Sequence, residues 1–226
     1  MRIRVEYSVG SDLRFLSNLE MMNLMARALR RARIPFALSE GFNPHIRLSM
    51  GTVLPVGLWG KREYFDLELM QEISPDMFIN NMNQVLPQAM RINKCIAITD
   101  DTPTLMKSIN CACYSFILSS SPTQLQEWKD NLLKQEELLV KSRGKKKNVD
   151  KNLRQGILKI EMNNQGDFAI IDIWVTVGEP LNVRYDELRD LLVQTGINEQ
   201  DILDIYRSGN YIMVNDRYYT PLEKVK

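Results

Sequence analysis

Histidine and cysteine are scarce in this chain of 226 residues, which has one histidine, His45, and three cysteines, Cys95, Cys111 and Cys113. A single imidazole excludes the paired histidines of an H-E-x-x-H metal helix. The cysteines include no closely spaced triplet able to hold an iron–sulfur cluster. They are also too few and too unevenly placed for a disulfide framework, and a reducing compartment keeps them as thiols. Cys111 and Cys113 fall on the same face of one strand and Cys95 on another, so all three read as buried thiols acting as small apolar groups, with no metal expected. The phosphate loop G-x-x-x-x-G-K-[ST] and the G-x-S-x-G elbow are both missing, which removes the usual signals of nucleotide hydrolysis and serine hydrolase chemistry. No apolar run approaches the roughly 18 residues that cross a bilayer, and the start, MRIRVEYSVG, lacks a signal peptide's apolar segment. The expectation is a cytoplasmic protein without membrane contact. Neither sign of charge dominates: 29 Lys and Arg face 28 Asp and Glu, so affinity for an acidic polymer must come from local patches.

What is present is the balance of an ordinary globular protein, 44% hydrophobic and 25% charged, with length enough for two modest cores. Residues 2–8 alternate as a strand. Ser17 with Glu20 forms a capping box, and a helix is predicted from Asn18 to about Arg33, ended by Pro35. Short strands are expected at 36–39 and 46–50 around the turn Glu40-Gly41-Phe42-Asn43-Pro44. Residues 63–70 (EYFDLELM) read as a strand with its acids outward, Ser74 caps a helix reaching about Leu86, and 90–99 closes the half as a strand. The polar cluster Asp100 to Pro103 marks the boundary. The order then repeats with strand 111–119, helix 122–135, strands at 138–143, 157–162 and 168–177, helix 185–194 and a short element at 202–206. The predicted fold is α+β: two ferredoxin-like β-α-β-β-α-β lobes in tandem, residues 1–99 and 100–226, with antiparallel sheets and helices on one face.

Three sets of residues carry chemistry. Arg27, Arg30 and Arg31 share a helical face at spacings that can meet successive phosphates, or serve simply as solvated charges favoured at a helix C-terminus. Lys145, Lys146 and Lys147 lie in the basic loop 141–154, which holds seven Lys or Arg and one Asp, and offer a second patch for nucleic acid or an acidic partner. His45, next to the turn and two residues before Arg47, which is itself a candidate phosphate-binding residue, suits acid–base work or a phosphate contact on RNA near neutral pH, or else pins the turn through a backbone carbonyl. The run Leu54-Pro55-Val56-Gly57-Leu58-Trp59 is unusually apolar for a loop: it is either a partner surface or folds back over its own sheet.

The stretch VGSDLRFLSNLEMMNLMARALRRARIPFALSEGFNPHIRLSM, with LPVG at Leu54 to Gly57 and Tyr64-Phe65-Asp66, resembles the radical SAM-linked family, a bacterial domain of unknown function (DUF2344-like). The later segments KSRGKKKNVDKN and IYRSGNY more weakly resemble its second half. Relatives often carry His at the position of Asn18 and Asp at that of Glu20, so a role for that histidine does not transfer. The family-motif loop is Gly41, Phe42, Asn43, Pro44 and His45. The resemblance implies a cobalamin-binding radical SAM protein as partner, with the iron–sulfur cluster, SAM and cobalamin on that partner and no cofactor on this chain, in a setting of RNA modification or processing. The expected role is therefore a non-catalytic accessory module binding RNA, such as tRNA or rRNA. Two alternatives are a metal-independent endoribonuclease using His45 and a protein-binding scaffold whose interface is Leu54 to Trp59.

Overall fold

A computed structural model describes residues 1–144, 149–165 and 168–225. The chain divides into two compact units, one made of Met1–Asn110 and Gly209–Lys226, the other of Cys111–Ser208. The expected boundary near Asp100 thus lies inside the first unit, and the last stretch of chain returns to it. No helix among the described residues is long and apolar enough to cross a membrane.

The first unit is built on β1 (Arg2–Val9), α1 (Asn18–Arg31), β2 (Leu48–Met50), β3 (Trp59–Glu68), α2 (Pro75–Asn83), β4 (Met90–Ile98) and the short α3 (Leu105–Ser108). β3 and β4 flank β1, both antiparallel to it, and β2 pairs antiparallel with the far side of β3. Alternation puts Ile3, Val5, Tyr7 and Val9 of β1 on one face, where they join Met21, Met25, Ala28 and Leu29 of α1 and Phe78 and Met82 of α2 in a closed core. The Ser17–Glu20 capping box forms as expected, and Ser74 caps α2 with Pro75 at its first position.

The opposite face departs from expectation. Asp66, read as an outward acid, is buried there along with Arg4 and Glu6, and Glu63, which stands opposite Tyr7 on the core side, is buried too. Asp66 takes hydrogen bonds from Arg4 Nε at 2.8 Å, Arg4 Nη2 at 2.9 Å and Arg2 Nη2 at 2.6 Å. The remaining guanidinium donors reach the carbonyls of Thr102, Pro103 and Pro221. Tyr64 on the same face packs with Leu105 of α3, Ile109 and Leu222. The helices are therefore not confined to one face: α3 and the returning C-terminal segment cover the second, and the buried Arg4 charge persists because each of its guanidinium nitrogens has an acceptor.

The second unit contains β5 (Cys111–Leu118), α4 (Pro122–Lys134), β6 (Leu139–Lys141), β7 (Asp150–Asn152), β8 (Ile157–Gln165), β9 (Phe168–Thr176) and α5 (Tyr185–Gln194). β9 lies antiparallel to both β5 and β8, and β6 with β7 forms a separate hairpin. The basic loop is thus partly strand, while Lys145, Lys146 and Lys147 lie outside the described residues. Leu125, Trp128 and Leu132 of α4 and Leu188, Leu191 and Leu192 of α5 are buried, and Trp128 Nε1 donates to Thr195 Oγ1 at 2.9 Å.

The element expected at 202–206 is far longer. β10 spans Ile202–Val214, its residues to Ser208 belonging to the second unit and those from Gly209 to the first. At its centre lies the polar run RSGN, in which Arg207 and Asn210 are buried. Asn215 and Asp216, both at positive φ (49° and 58°), then make the two-residue turn that folds β11 (Arg217–Tyr219) back on β10.

Candidate nucleic-acid interface

The end of α1 is fixed by a Schellman motif. Arg33 N–H donates to the Arg30 carbonyl and Ile34 N–H to the Leu29 carbonyl, both at 3.1 Å, while Ile34 packs into the core with Leu29. The motif places Arg33 at φ 52°, a left-handed conformation that usually falls to glycine. Four arginines cluster over this last stretch: Arg27, Arg30, Arg31 and Arg33, all exposed. None of the four has an ion-pair partner among the described residues. Arg30 stands over the ring of Phe36 at 5.9 Å, which joins the helix end to the segment that follows.

That segment is a small projecting hairpin. Phe36 bridges Leu69 at its root, Leu38 bridges Ile46, and Arg47 N–H donates to the Ala37 carbonyl at 2.9 Å. Near the tip, Ser39 N–H donates to the His45 carbonyl at 2.8 Å and His45 N–H to Ser39 Oγ at 3.0 Å. His45 is thus pinned by its backbone, and its imidazole is exposed. The tip, residues 40–44, is exposed throughout, and Gly41 at φ 116° supplies the turn. Phe42 is fully exposed. The motif loop Gly41 to His45 is therefore presented to solvent on a hairpin whose root, at Phe36, meets the arginine-rich helix end.

Not every predicted cation is available. Arg47 donates to Glu68 Oε2 at 2.9 Å, and this hydrogen bond and charge hold its guanidinium more firmly protonated. In the second unit the described bases of the basic loop are likewise engaged. Lys141 pairs with Asp150 at 2.6 Å, Arg143 with Asp190 at 2.8 Å, and Lys151 with the buried Glu187 at 2.6 Å. Arg154 donates to the Gln135 carbonyl at 3.2 Å. A loop with seven basic residues thus spends several of them on its own unit, whereas the arginines at the end of α1 have no carboxylate partner among the described residues.

The apolar run at 54–59 does not form one exposed surface. Leu58 is buried, Leu54 packs against the first core, and Trp59 begins β3, half-buried like Pro55; Val56 is the residue left largely exposed. Gly57 N–H donates to the Arg14 carbonyl at 2.7 Å, fastening the run beside the start of α1. The three cysteines are free and buried. Burial pushes the Cys95 and Cys111 thiols up to about 12, and burial, with Asp172 nearby, pushes Cys113 up as well. Thiolate chemistry is thereby opposed at all three. A cleft of about 410 Å³ in the first unit is lined by both signs of charge, including Glu6, Arg62, Lys94 and Glu223. Two of its carboxylates are already held: Glu6 accepts from Tyr64 Oη at 2.7 Å, and Glu223 accepts from the Thr220 N–H at 2.8 Å.

Sequence reasoning found the arginines and the motif loop but not the Arg30–Phe36 contact or the exposure of Phe42. An aromatic residue in a turn bounded by Gly41 and Pro44 was the available signal, since such a turn has no core to enter.

The fold and this surface define an α+β protein with a mostly antiparallel sheet architecture and a basic, aromatic-tipped projection. The chain belongs to DUF2344, a family of uncharacterised proteins conserved in bacteria, whose model matches residues 2–185. No curated protein matches it. Among solved structures it is similar to a chain in a crystal structure of a Cbf5-Nop10-Gar1 complex, with a TM-score of 0.50 and 11% identity over 92% of this chain and 48% of that one. It therefore spans about half the length of that chain, and the likeness is one of fold.

Proposed function

We propose that this protein is a non-catalytic accessory module that binds RNA through the arginine-rich end of α1 and docks to a cobalamin-binding radical SAM protein, which carries the cofactors and the chemistry. The single observation behind the RNA reading is the set of four exposed arginines without acidic partners among the described residues, beside an exposed hairpin. Cations already paired to protein carboxylates give little to a phosphate, and unpaired ones release counterions on binding. The partner assignment rests on the family resemblance. Each unit is further read as a ferredoxin-like lobe. Strand orders of β4-β1-β3 with β2 beside β3 in one unit, and β10-β5-β9-β8 in the other, support that reading.

The test is RNA retention across a salt series, with wild type and the Arg30→Glu/Arg31→Glu double variant. Binding should weaken steeply with salt, and each phosphate contact removed should lower the slope of log K against log salt by about 0.7 for a single strand. Salt-insensitive binding to a radical SAM protein without RNA retention would instead support a protein scaffold. Metal-independent RNA cleavage lost in His45→Ala would replace the accessory role with a nuclease.

A further inference from the structure

We infer that the RNA taken at this surface is single-stranded, with Phe42 stacking on an unpaired base while the arginines at the end of α1 hold the adjoining phosphates. The inference rests on the RNA reading above and names its ligand class. A phenylalanine normally buries its ring, and Phe42 buries none of it. The hairpin that carries it is nonetheless well built. Backbone hydrogen bonds of 2.8 and 2.9 Å close its two arms, and Gly41 at φ 116° gives the turn at its tip. A ring carried outward on such a support has no covering contact to break before a base stacks on it.

The charge around the ring selects what lands on it. Arg30 sits over Phe36 at the root of the same hairpin, which places a guanidinium at the base of the projection. His45, exposed on the returning arm, adds a second flat ring. Rings projecting beside unpaired cations are the combination that binds single strands: bases stack on the aromatics and phosphates meet the arginines. A duplex keeps its base faces inside its own stack, and the deep, narrow major groove of A-form RNA does not admit side chains. An apolar protein patch would satisfy Phe42 but would leave the four arginines without a role.

The experiment uses the full chain and two probes, a fluorescein-labelled single-stranded RNA of about 12 nucleotides, within the usual footprint of such sites, and an RNA duplex of the same length. Anisotropy is read for wild type, Phe42→Ala, Phe42→Trp and Arg30→Glu/Arg31→Glu. Wild type should prefer the single strand. Phe42→Ala should weaken single-strand binding about 5- to 100-fold and leave the weaker duplex binding unchanged. Phe42→Trp should retain or tighten single-strand binding, and its fluorescence in excess of wild type should be quenched by the single strand. The ring is fully exposed, so neither substitution threatens the fold. Equal affinity for both probes, or a Phe42→Ala protein that binds the single strand as wild type does, overturns the inference while leaving the RNA reading intact. Binding of neither probe overturns both, and is the outcome expected if the tip docks to protein.

Discussion

Arg33 holds two roles that pull in opposite directions. As the left-handed residue of the Schellman motif it sits at φ 52°, a conformation that costs an L-residue roughly 1 to 2 kcal/mol. As the last of four arginines it extends the basic surface beyond the helix. Glycine at that position removes the strain but has more freedom to lose from the unfolded chain, so Arg33→Gly should stabilise the protein by about 1 kcal/mol. The same change should weaken RNA retention and flatten its salt dependence. Urea unfolding and a salt series on one preparation check both signs, and a variant that is less stable would show that the arginine is anchored by contacts worth more than the strain.

The thiols give a second prediction at this scale. A thiol whose folded value is raised to about 12, as for Cys95 and Cys111, favours the neutral form on folding. That contribution is complete below the ordinary thiol value near 9 and is lost as pH rises toward the folded value. Native protein at pH 8 should therefore leave all three thiols unreacted with a thiol-specific disulfide reagent, and urea-unfolded protein should react at all three. Stability should fall as pH climbs from about 9 to 12, less so when Cys111 is replaced by alanine. Rapid reaction of the native protein would show that the strands open on the timescale of the assay.

Among the elements, β1 and β3 carry the least expected arrangement, a carboxylate shared by two arginines on a covered sheet face. Arg4 is fully buried, so deleting its partner leaves a charge with no counter-ion in the interior. Asp66→Ala should cost about 3 to 5 kcal/mol in chemical denaturation. Glu68→Ala, which frees the exposed Arg47, should leave the midpoint nearly unchanged, because an ion pair in water contributes little. A comparable loss in both variants would mean that the buried position is not what matters. Helix α1 was legible in the sequence because its cap, its apolar spacing and its stop at Pro35 are all local signals. The face carrying Asp66 was not. Alternation correctly separates Phe65 and Leu67 from Asp66, but it assigns water to the polar side, and here that side is closed by residues near 103 and 221, far away along the chain. β10 was missed for a related reason. Its central RSGN lacks the apolar alternation of a half-buried strand, and the burial of Arg207 and Asn210 depends on segments far away along the chain. Of the candidate site, the arginines and the loop could be read from residue type and spacing, whereas the arginines' lack of acidic partners among the described residues could not.

For the whole molecule, the division of the chain makes a prediction about what folds alone. The first unit is discontinuous: Met1–Asn110 is completed by Gly209–Lys226. The returning piece supplies Asn210, whose Nδ2 donates to Glu63 Oε2 at 3.2 Å and whose Oδ1 accepts from Thr52 Oγ1 at 2.7 Å. It also supplies the Pro221 carbonyl that accepts from Arg4, and Leu222 against Tyr64. A fragment ending at Asn110 therefore exposes a buried guanidinium and loses the cover of one sheet face, and it should fail to show a cooperative unfolding transition. The two ends of the excised unit are close together. Asn110 N–H donates to the Tyr211 carbonyl at 3.2 Å, and its side chain bonds Met213 N and O at 2.7 and 3.0 Å. Joining Asn110 to Gly209 through about four Gly and Ser residues spans that gap without strain. The joined protein should unfold cooperatively in urea with a single midpoint. Because α1 and the 36–47 hairpin lie entirely in the first unit, it should also keep the single-strand affinity of the full chain to within a few-fold. A joined protein that folds but no longer retains RNA would place part of the binding surface in residues 111–208, where the basic loop lies, and would move the RNA reading away from the end of α1.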